Sequence, residues 1–235
     1  MWWKKIIQIW KSPDLRKSIL YVIALLIIFR IAAHVPIPGI NGSALRTLFQ
    51  QNQILGLLNI FSGGAMENFS VVALGVGPYI TASIILQLLT MIIPRLEELS
   101  KEGESGRQKI NQWTRILTVP LGILQSYGMI VLLQRSSANI LPSFTPLTLA
   151  STMITVTAGT IFLMWLGELI SEKKVGNGIS LIIFAGIVSG IPGVLQNLWV
   201  NYSSSQLPSI ISFLALGVIT TAGVVFITEA QRNIP

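Results

Sequence analysis

Charged residues are scarce in this sequence, and cysteine is absent from it. Only 11% of the 235 residues are charged and 51% are hydrophobic, whereas a typical soluble domain carries about 25% charged residues. Without cysteine the chain has no disulfide, thiol nucleophile or cysteine-ligated metal site. The only histidine, His34, lies near Pro36 at the edge of an apolar run, where a structural role is expected. The composition favours an integral membrane protein.

Six apolar segments are predicted to cross a membrane as helices, because backbone groups in lipid need hydrogen bonds within their own segment. These segments are residues 18–33, 71–93, 116–133, 147–170, 179–200 and 207–228. The first is short, and Arg30 near its end is expected to snorkel toward the membrane surface. The predicted fold class is therefore all-α, a polytopic membrane helix bundle.

Lysine and arginine are concentrated on one side of these six segments. That side carries Lys4, Lys5, Lys11, Arg16, Lys17, Arg95, Lys101, Arg107, Lys109, Arg115, Lys173, Lys174 and Arg232. The other side carries only Arg30, Arg46 and Arg135. The positive-inside rule therefore predicts that both chain ends are cytoplasmic, as an even number of spans requires. Because the basic residues flank apolar segments, the net charge of +7 does not indicate specific nucleic-acid reading.

Residues 1–17 form a distinct N-terminal region. Trp3, Ile6, Ile7 and Trp10 follow the helical spacing i, i+3, i+4, i+7, with lysines between them. This pattern predicts an amphipathic helix that lies along the cytoplasmic membrane surface. A plain basic anchor without a partner is the alternative.

The connection between the first two spans contains an apolar stretch that is too short to cross a membrane. It comprises Leu57, Leu58, Asn59, Ile60, Phe61, Ser62, Gly63, Gly64, Ala65 and Met66. A stretch of about ten apolar residues is typically re-entrant, interfacial or packed within protein. The glycine pair is tolerated at membrane depth only inside protein or beside a water-filled cavity. Two interpretations stay open: a segment folded into a cavity at about residues 57–68, and an exterior cap on the helices.

The sequence contains no recognisable catalytic, cofactor or metal site. The stretches Gly75-Val76-Gly77 and Gly176-Asn177-Gly178 lack the preceding strand and the following Lys-Ser/Thr of a phosphate loop. The spans offer neutral polar groups at mid-membrane, whereas ion-coupled transporters usually place charged side chains there. We therefore expect a protein that is not an enzyme and that needs no cofactor or metal.

Two pairs of isoleucines lie at i, i+4 spacing, one in the second span and one in the fifth. They are Ile80 and Ile84, and Ile183 and Ile187. Isoleucine facing lipid is the ordinary interpretation of such a stripe. A hydrophobic constriction that closes by dewetting is the other interpretation, because it needs branched apolar side chains.

Six motifs follow one another along nearly the whole chain. They are Ile37-Pro38-Gly39, Phe61-Ser62-Gly63-Gly64-Ala65, residues 73–89, residues 101–107, residues 162–168 and residues 176–187. In kind, order and spacing they resemble the SecY family, the channel subunits of the bacterial and plastid protein translocase. The resemblance implies an hourglass channel that passes unfolded secretory polypeptides and releases signal sequences and membrane helices sideways into lipid.

The resemblance also implies roles for particular residues. The implied roles are a pore ring of Ile80, Ile84, Ile183 and Ile187, a plug at residues 57–66, a lateral gate with Thr90 and Gln125, and a cytoplasmic docking loop with Arg107 and Lys109. The implied partners are the SecE and SecG subunits, the SecA motor and ribosomes. The implied location is a bacterial plasma membrane or a plastid thylakoid membrane.

The family has ten spanning helices in two halves related by pseudo-symmetry, and this chain has six predicted spans. Residues 18–200 are expected to form the five-helix N-terminal half, and residues 201–235 a sixth helix with the start of a cytoplasmic loop. A fragment, or the product of a split gene, is expected from this difference. A small-solute secondary transporter is the alternative function, and a structural membrane scaffold is a third.

Overall fold

The structure is a computed structural model that describes residues 12–135, 145–200 and 207–229. Within these ranges every regular secondary-structure element is a helix, and one isolated β-bridge joins Pro36 to Ser70. The all-α prediction is confirmed. The amphipathic pattern at residues 3–10 and the predicted cytoplasmic loop after residue 229 lie outside the described residues.

Nine helices are found in the described part of the chain. In order, they are α1 (Pro13–Ala33), α2 (Gly42–Gln51), α3 (Gln53–Phe61), α4 (Gly77–Ile92), α5 (Pro94–Lys101), α6 (Glu104–Arg135), α7 (Pro146–Glu172), α8 (Gly178–Val200) and α9 (Leu207–Glu229).

Four of these helices are long and apolar enough to span a membrane: α6, α7, α8 over Gly178–Gln196, and α9. A fifth span results if α4 and α5, which meet at a bend of 104°, count as one broken segment. Helix α1 is not among them, because Arg16, Lys17 and Arg30 interrupt its apolar sequence. The described residues thus contain four or five apolar spanning helices, where the sequence predicted six.

Helix α4 begins at Gly77, later than the predicted start of the second span at residue 71. Residues 71–76 form turns instead, and Gly75 adopts a left-handed backbone conformation with φ +59°. Pro78 then opens the helix, because proline in the first turn removes no helical hydrogen bond. Helix α4 ends before Ile93, which is extended because a proline follows it.

A tight turn joins α7 to α8 at the glycine-rich stretch of residues 176–178. The Ser171 hydroxyl of α7 accepts a hydrogen bond from the Gly178 backbone N–H at 2.9 Å. A Cβ at Gly178 would overlap the carbonyl oxygen of Gly167, so only glycine allows this approach. The start of α8 is therefore held directly against the end of α7.

The first compact unit, up to Gly190, contains two apolar cores. One core joins α1, the chain before α4, α7 and the start of α8 through Val22, Leu25, Phe29, Ala33, Ala65, Val72, Val76, Leu163, Leu166, Ile170 and Ile182. The other joins α2, α6 and α7 through Ile37, Leu45, Phe49, Phe69, Ile130, Leu133 and Val156. Ala65 of the predicted plug belongs to the first core, against which Ile80 and Ile183 also pack.

The second compact unit begins at Ile191 and contains the end of α8 and all of α9. No residue of α9 is buried, and its surface is apolar on every side. A helix with this distribution is suited to a lipid environment.

Candidate functional site

A cavity of about 610 Å³ lies between α4, α6, α7 and the start of α8. Its apolar wall includes Ile80 and Ile84 from α4 and Ile183 from α8. Its polar wall is formed by Ser83, Gln87, Asn111, Arg115, Glu168, Ser171, Glu172, Asn177 and Ser180. Three of the four predicted ring isoleucines are thus brought to one space. Ile187, one turn further along α8, is 37% exposed but is not part of the cavity wall.

An ion pair crosses the cavity wall between α6 and α7. Arg115 Nε lies 2.6 Å from Glu168 Oε1, and the Glu168 side chain is only 25% exposed. The sequence does not predict this pair: Glu168 falls near the end of the predicted span 147–170, and the expectation of neutral polar groups concerned mid-membrane positions. The spacing of the two residues along the chain gives no sign of their contact.

The charged stretch at residues 101–107 is a joint between two helices, and its description as a loop is corrected. Only Glu102 and Gly103 separate α5 from α6, and Gly103 has φ +79°. A Cβ at Gly106 would overlap the Leu99 carbonyl oxygen, so glycine lets the two helices meet closely. Arg107 is exposed in the first turn of α6.

Two ion pairs lie at this joint. Lys101 Nζ lies 2.6 Å from Glu97 Oε1, and Lys109 Nζ lies 3.8 Å from Glu102 Oε2. The hydrogen bond and the charge of Lys101 lower the pKa of the exposed Glu97 carboxyl. Exposed pairs of this kind contribute little to stability, so the joint is shaped mainly by its glycines.

The predicted plug, residues 57–66, comprises the second half of α3 and the first of the turns that follow it. These turns continue to Ser70, and we call residues 57–70 the plug segment. Three apolar side chains of its helical part are largely exposed: Leu57 at 58%, Leu58 at 44% and Ile60 at 50%. Its turns are packed inside the protein, with Ser62 at 7% and Ala65 at 0% exposure. The segment therefore has two arms: the turns, which are buried, and the helical part, whose apolar side chains the described residues leave uncovered.

Side chains within the plug segment fix its shape. The Asn59 amide donates to Glu67 Oε2 at 2.8 Å and accepts from the Glu67 backbone N–H at 3.0 Å. The Ser62 hydroxyl donates to the Asn59 carbonyl at 2.9 Å and accepts from the Met66 N–H at 3.2 Å. These four bonds tie the end of α3 to the turns that follow it.

Arg30 binds the plug segment, whereas the sequence predicted that it would snorkel toward the membrane surface. Its Nη1 donates to the Gly63 carbonyl oxygen at 2.6 Å, in a partly buried position. Gly63 has φ +67°, and a Cβ there would lie 2.8 Å from the Cα of Gly186 on α8. Snorkelling was expected because it is the cheapest solution for an arginine beside lipid. A backbone carbonyl within reach offers an alternative that the sequence does not reveal.

The two predicted lateral-gate residues lie apart on the surface where α4 meets α6. Gln125 Nε2 donates to Thr81 Oγ1 at 3.5 Å, beside the start of α4. Thr90 donates to the Gln87 carbonyl of its own helix at 2.7 Å, and it borders a small apolar pocket with Lys109 and Trp113. The structure brings each to the interface of these two helices without bringing them together.

No cluster of three or more His, Asp or Glu side chains that could hold a metal ion occurs within residues 12–135, 145–200 and 207–229. The carboxylates of the cavity, Glu168 and Glu172, share it with Arg115. The site therefore offers a cavity lined by both polar and apolar side chains.

Comparison with known proteins gives one consistent result. The family model for SecY matches residues 70–235. The chain is 49% identical to the protein translocase subunit SecY of Pseudomonas aeruginosa, over 89% of this chain and 48% of that protein. It is 42% identical to the SecY subunits of Streptomyces scabiei, over 96% of this chain and 54% of that protein, and of Halalkalibacterium halodurans, over 99% and 56%.

A solved structure with a similar fold is Sec61 in the canine ribosome–channel complex from the endoplasmic reticulum. The TM-score is 0.51 at 19% identity, over 92% of this chain and 48% of the other, so the likeness concerns the fold. The chain spans about half the length of the curated relatives it matches.

Proposed function

Because this chain belongs to the SecY family, we propose that it forms part of a protein-conducting channel in a membrane. Its cargo is an unfolded secretory polypeptide, or a signal sequence or membrane helix that leaves sideways into lipid. The observation that carries the proposal is the cavity that Ile80, Ile84 and Ile183, from two different helices, line together with polar side chains.

The chemistry of this cavity suits a passage for polypeptide. Branched apolar side chains can close a constriction by dewetting, because they offer water no hydrogen bonds. The same side chains do not hold a passing chain by hydrogen bonds either. The polar side chains of the cavity give an unfolded chain a wet surface, and the charges of Arg115 and Glu168 cancel within their ion pair. The family resemblance assigns Ile187 to the ring as well. In our proposal the constriction includes Ile187 if it extends one turn further along α8 than the cavity wall.

The plug segment closes this passage from the exterior side in our proposal. Its buried turns share an apolar core with residues that pack beside the ring isoleucines, which supports such a position. The exposed apolar side chains Leu57, Leu58 and Ile60 supply the surface that completes the closure. Thr90 and Gln125 border the α4–α6 interface, which we assign to the lateral gate.

The assembly has further parts in this proposal. SecE and SecG contribute membrane helices, and a SecA motor or a ribosome supplies the driving force by docking at the α5–α6 joint near Arg107 and Lys109. The membrane is a bacterial plasma membrane or a thylakoid membrane, with both chain ends on the cytoplasmic or stromal side. The alternative of a small-solute transporter is not favoured, because the relatives are translocase subunits.

Import into inverted membrane vesicles tests the proposal. Vesicles from host cells depleted of this protein should lose most of the protease-protected import of a radiolabelled secretory precursor. Uptake of a small solute by the same vesicles should be unchanged. Normal precursor import with reduced solute uptake would contradict the proposal and support the transporter.

A further inference from the structure

Two arginines that stand apart from the cytoplasmic clusters contact one and the same segment. Arg30 at the end of α1 donates to the Gly63 carbonyl at 2.6 Å. Arg46 of α2 donates through Nη2 to Asn68 Oδ1 at 2.9 Å, and its Nε lies 3.9 Å from Glu67 Oε1. The positive-inside rule leaves both arginines as exceptions. Their shared target gives a reason for these exceptions.

The contact of Arg30 is the tighter of the two. The guanidinium is partly buried, and a Cβ at Gly63 would lie 3.0 Å from Arg30 Nη1 and 2.8 Å from the Cα of Gly186. Gly63 is therefore packed closely against both the Arg30 guanidinium and α8. Bonds from a charged donor are shorter and stronger than neutral ones, so this contact resists movement of the turn away from the end of α1.

The contact of Arg46 acts at the other end of the turns. Its side chain is 61% exposed, so the bond to Asn68 is partly offset by competition with water. It also approaches Glu67, whose carboxylate is bound to Asn59 at the end of α3. Arg46 thus contacts the part of the segment where its two arms are tied together.

We propose that Arg30 and Arg46 are positioning residues that hold the plug segment in its closed position, with Arg30 as the main latch. This inference rests on the proposed function of the segment as a plug. Opening requires that both guanidinium contacts break, so the two residues set the threshold that an arriving signal sequence must overcome. A weaker latch lets precursors with poor signals open the channel.

Labelling of a single thiol measures the latch without any cargo. The chain has no native cysteine, so the Ala65→Cys thiol is unique, and Ala65 is 0% exposed in the closed position. In reconstituted membranes, Arg30→Gln should raise the rate of labelling by a water-soluble maleimide about tenfold, since a charge-assisted hydrogen bond is lost. Arg46→Gln should raise it less, because that contact is exposed. Arg30→Lys, which keeps one charged donor, should lie between Arg30→Gln and the parent.

Two controls keep the outcome interpretable. Arg135→Gln changes an arginine of the same predicted side at the end of α6 and should leave the rate unchanged. A Thr118→Cys thiol, at a position 0% exposed inside α6, should stay protected in every variant that is folded. If Arg30→Gln exposes the Thr118→Cys thiol, that variant is misfolded, and the labelling rate of the Arg46→Gln variant tests the proposal instead. The proposal is overturned if the variant used for the test is labelled at the rate of the parent protein, or if Arg135→Gln raises the labelling rate by the same factor.

Import of a precursor with a defective signal separates this inference from the proposed function. Faster labelling together with increased import of that precursor supports both. Faster labelling without any change in import overturns the plug assignment, while the arginines still hold the segment.

Discussion

Gly63 and Gly64 are neighbours with similar backbone conformations and different surroundings. Both are left-handed, with φ +67° and φ +82°. A Cβ at Gly63 would lie 2.8 Å from the Gly186 Cα and 3.0 Å from Arg30 Nη1, whereas a Cβ at Gly64 would meet nothing within 4 Å. The same substitution therefore has the same backbone cost at both positions and a steric consequence at only one.

We expect Gly63→Ala to push the plug segment away from α8 and to increase import of precursors with defective signals. Gly64→Ala should cost the same roughly 1–2 kcal/mol of left-handed strain and leave selectivity near that of the parent. Import assays with one normal and one defective precursor measure both variants. Equal selectivity of the two variants would show that the contact with Gly186 is unimportant.

Close approaches between helices and turns depend on particular glycines. In α7, a Cβ at Gly159 would overlap the carbonyl oxygen of Val71 in the turns before α4. In α6, a Cβ at Gly128 would meet nothing within 4 Å. Small residues at such contacts let membrane helices pack closely. The two glycines therefore make a matched pair, one in a contact and one in open space.

Gly159→Ala should lower the free energy of unfolding by about 1–3 kcal/mol, the usual effect of overpacking. Gly128→Ala should raise it by up to about 1 kcal/mol, because alanine has the higher helix propensity. Unfolding of the protein in detergent, followed by circular dichroism, measures both. A Gly159→Ala variant as stable as Gly128→Ala would mean that the turn does not pack against α7 as described.

The long apolar helices could be predicted from the sequence, and their charged extensions could not. The predicted spans 147–170, 179–200 and 207–228 agree closely with α7, α8 and α9. Helix α6 begins at Glu104, well before the predicted 116, because its first turns are polar and carry no apolar signal. Hydropathy finds the part of a helix that lies in lipid, and it is silent about the part outside.

The contacts between residues far apart in the chain could not be predicted from the sequence. The ion pair of Arg115 with Glu168 and the bond from Arg30 to Gly63 join residues far apart in the chain. No spacing rule relates such residues, since their approach depends on how the helices pack. The ring and plug residues came from the family resemblance, and their roles remain predictions.

The cavity distinguishes the ring isoleucines from one another. Ile84 and Ile183 line it, whereas Ile187 does not. In a resting channel, asparagine at the first two positions should wet the constriction, because its amide binds water.

Ile84→Asn combined with Ile183→Asn should therefore raise the resting ion conductance of the channel in planar bilayers. Ile187→Asn alone should raise it less. If Ile187→Asn alone leaks as much as the double variant, the constriction extends further along α8 than the cavity wall does.

The α5–α6 joint carries exposed basic side chains, which the proposed function assigns to the docking of a partner. Arg107→Gln with Lys109→Gln should weaken binding of ribosomes severalfold at low salt, and the difference should shrink at high salt through screening. Lys173→Gln with Lys174→Gln, in the turn between α7 and α8, removes the same two charges and serves as the control. Sedimentation of proteoliposomes with ribosomes measures both double variants, and a salt-independent loss would point to a misfolded joint.

Crosslinking to a stalled secretory chain in membranes that contain the whole channel examines whether polypeptide passes the isoleucine cavity. The absence of native cysteine makes Ile84→Cys a single probe, and Ile154→Cys on α7, exposed outside the cavity, is its matched control. We predict a crosslink between the stalled chain and the Ile84→Cys thiol and none from Ile154→Cys. Equal crosslinking at both positions, or none at Ile84→Cys in a correctly inserted protein, would contradict a polypeptide path through this cavity.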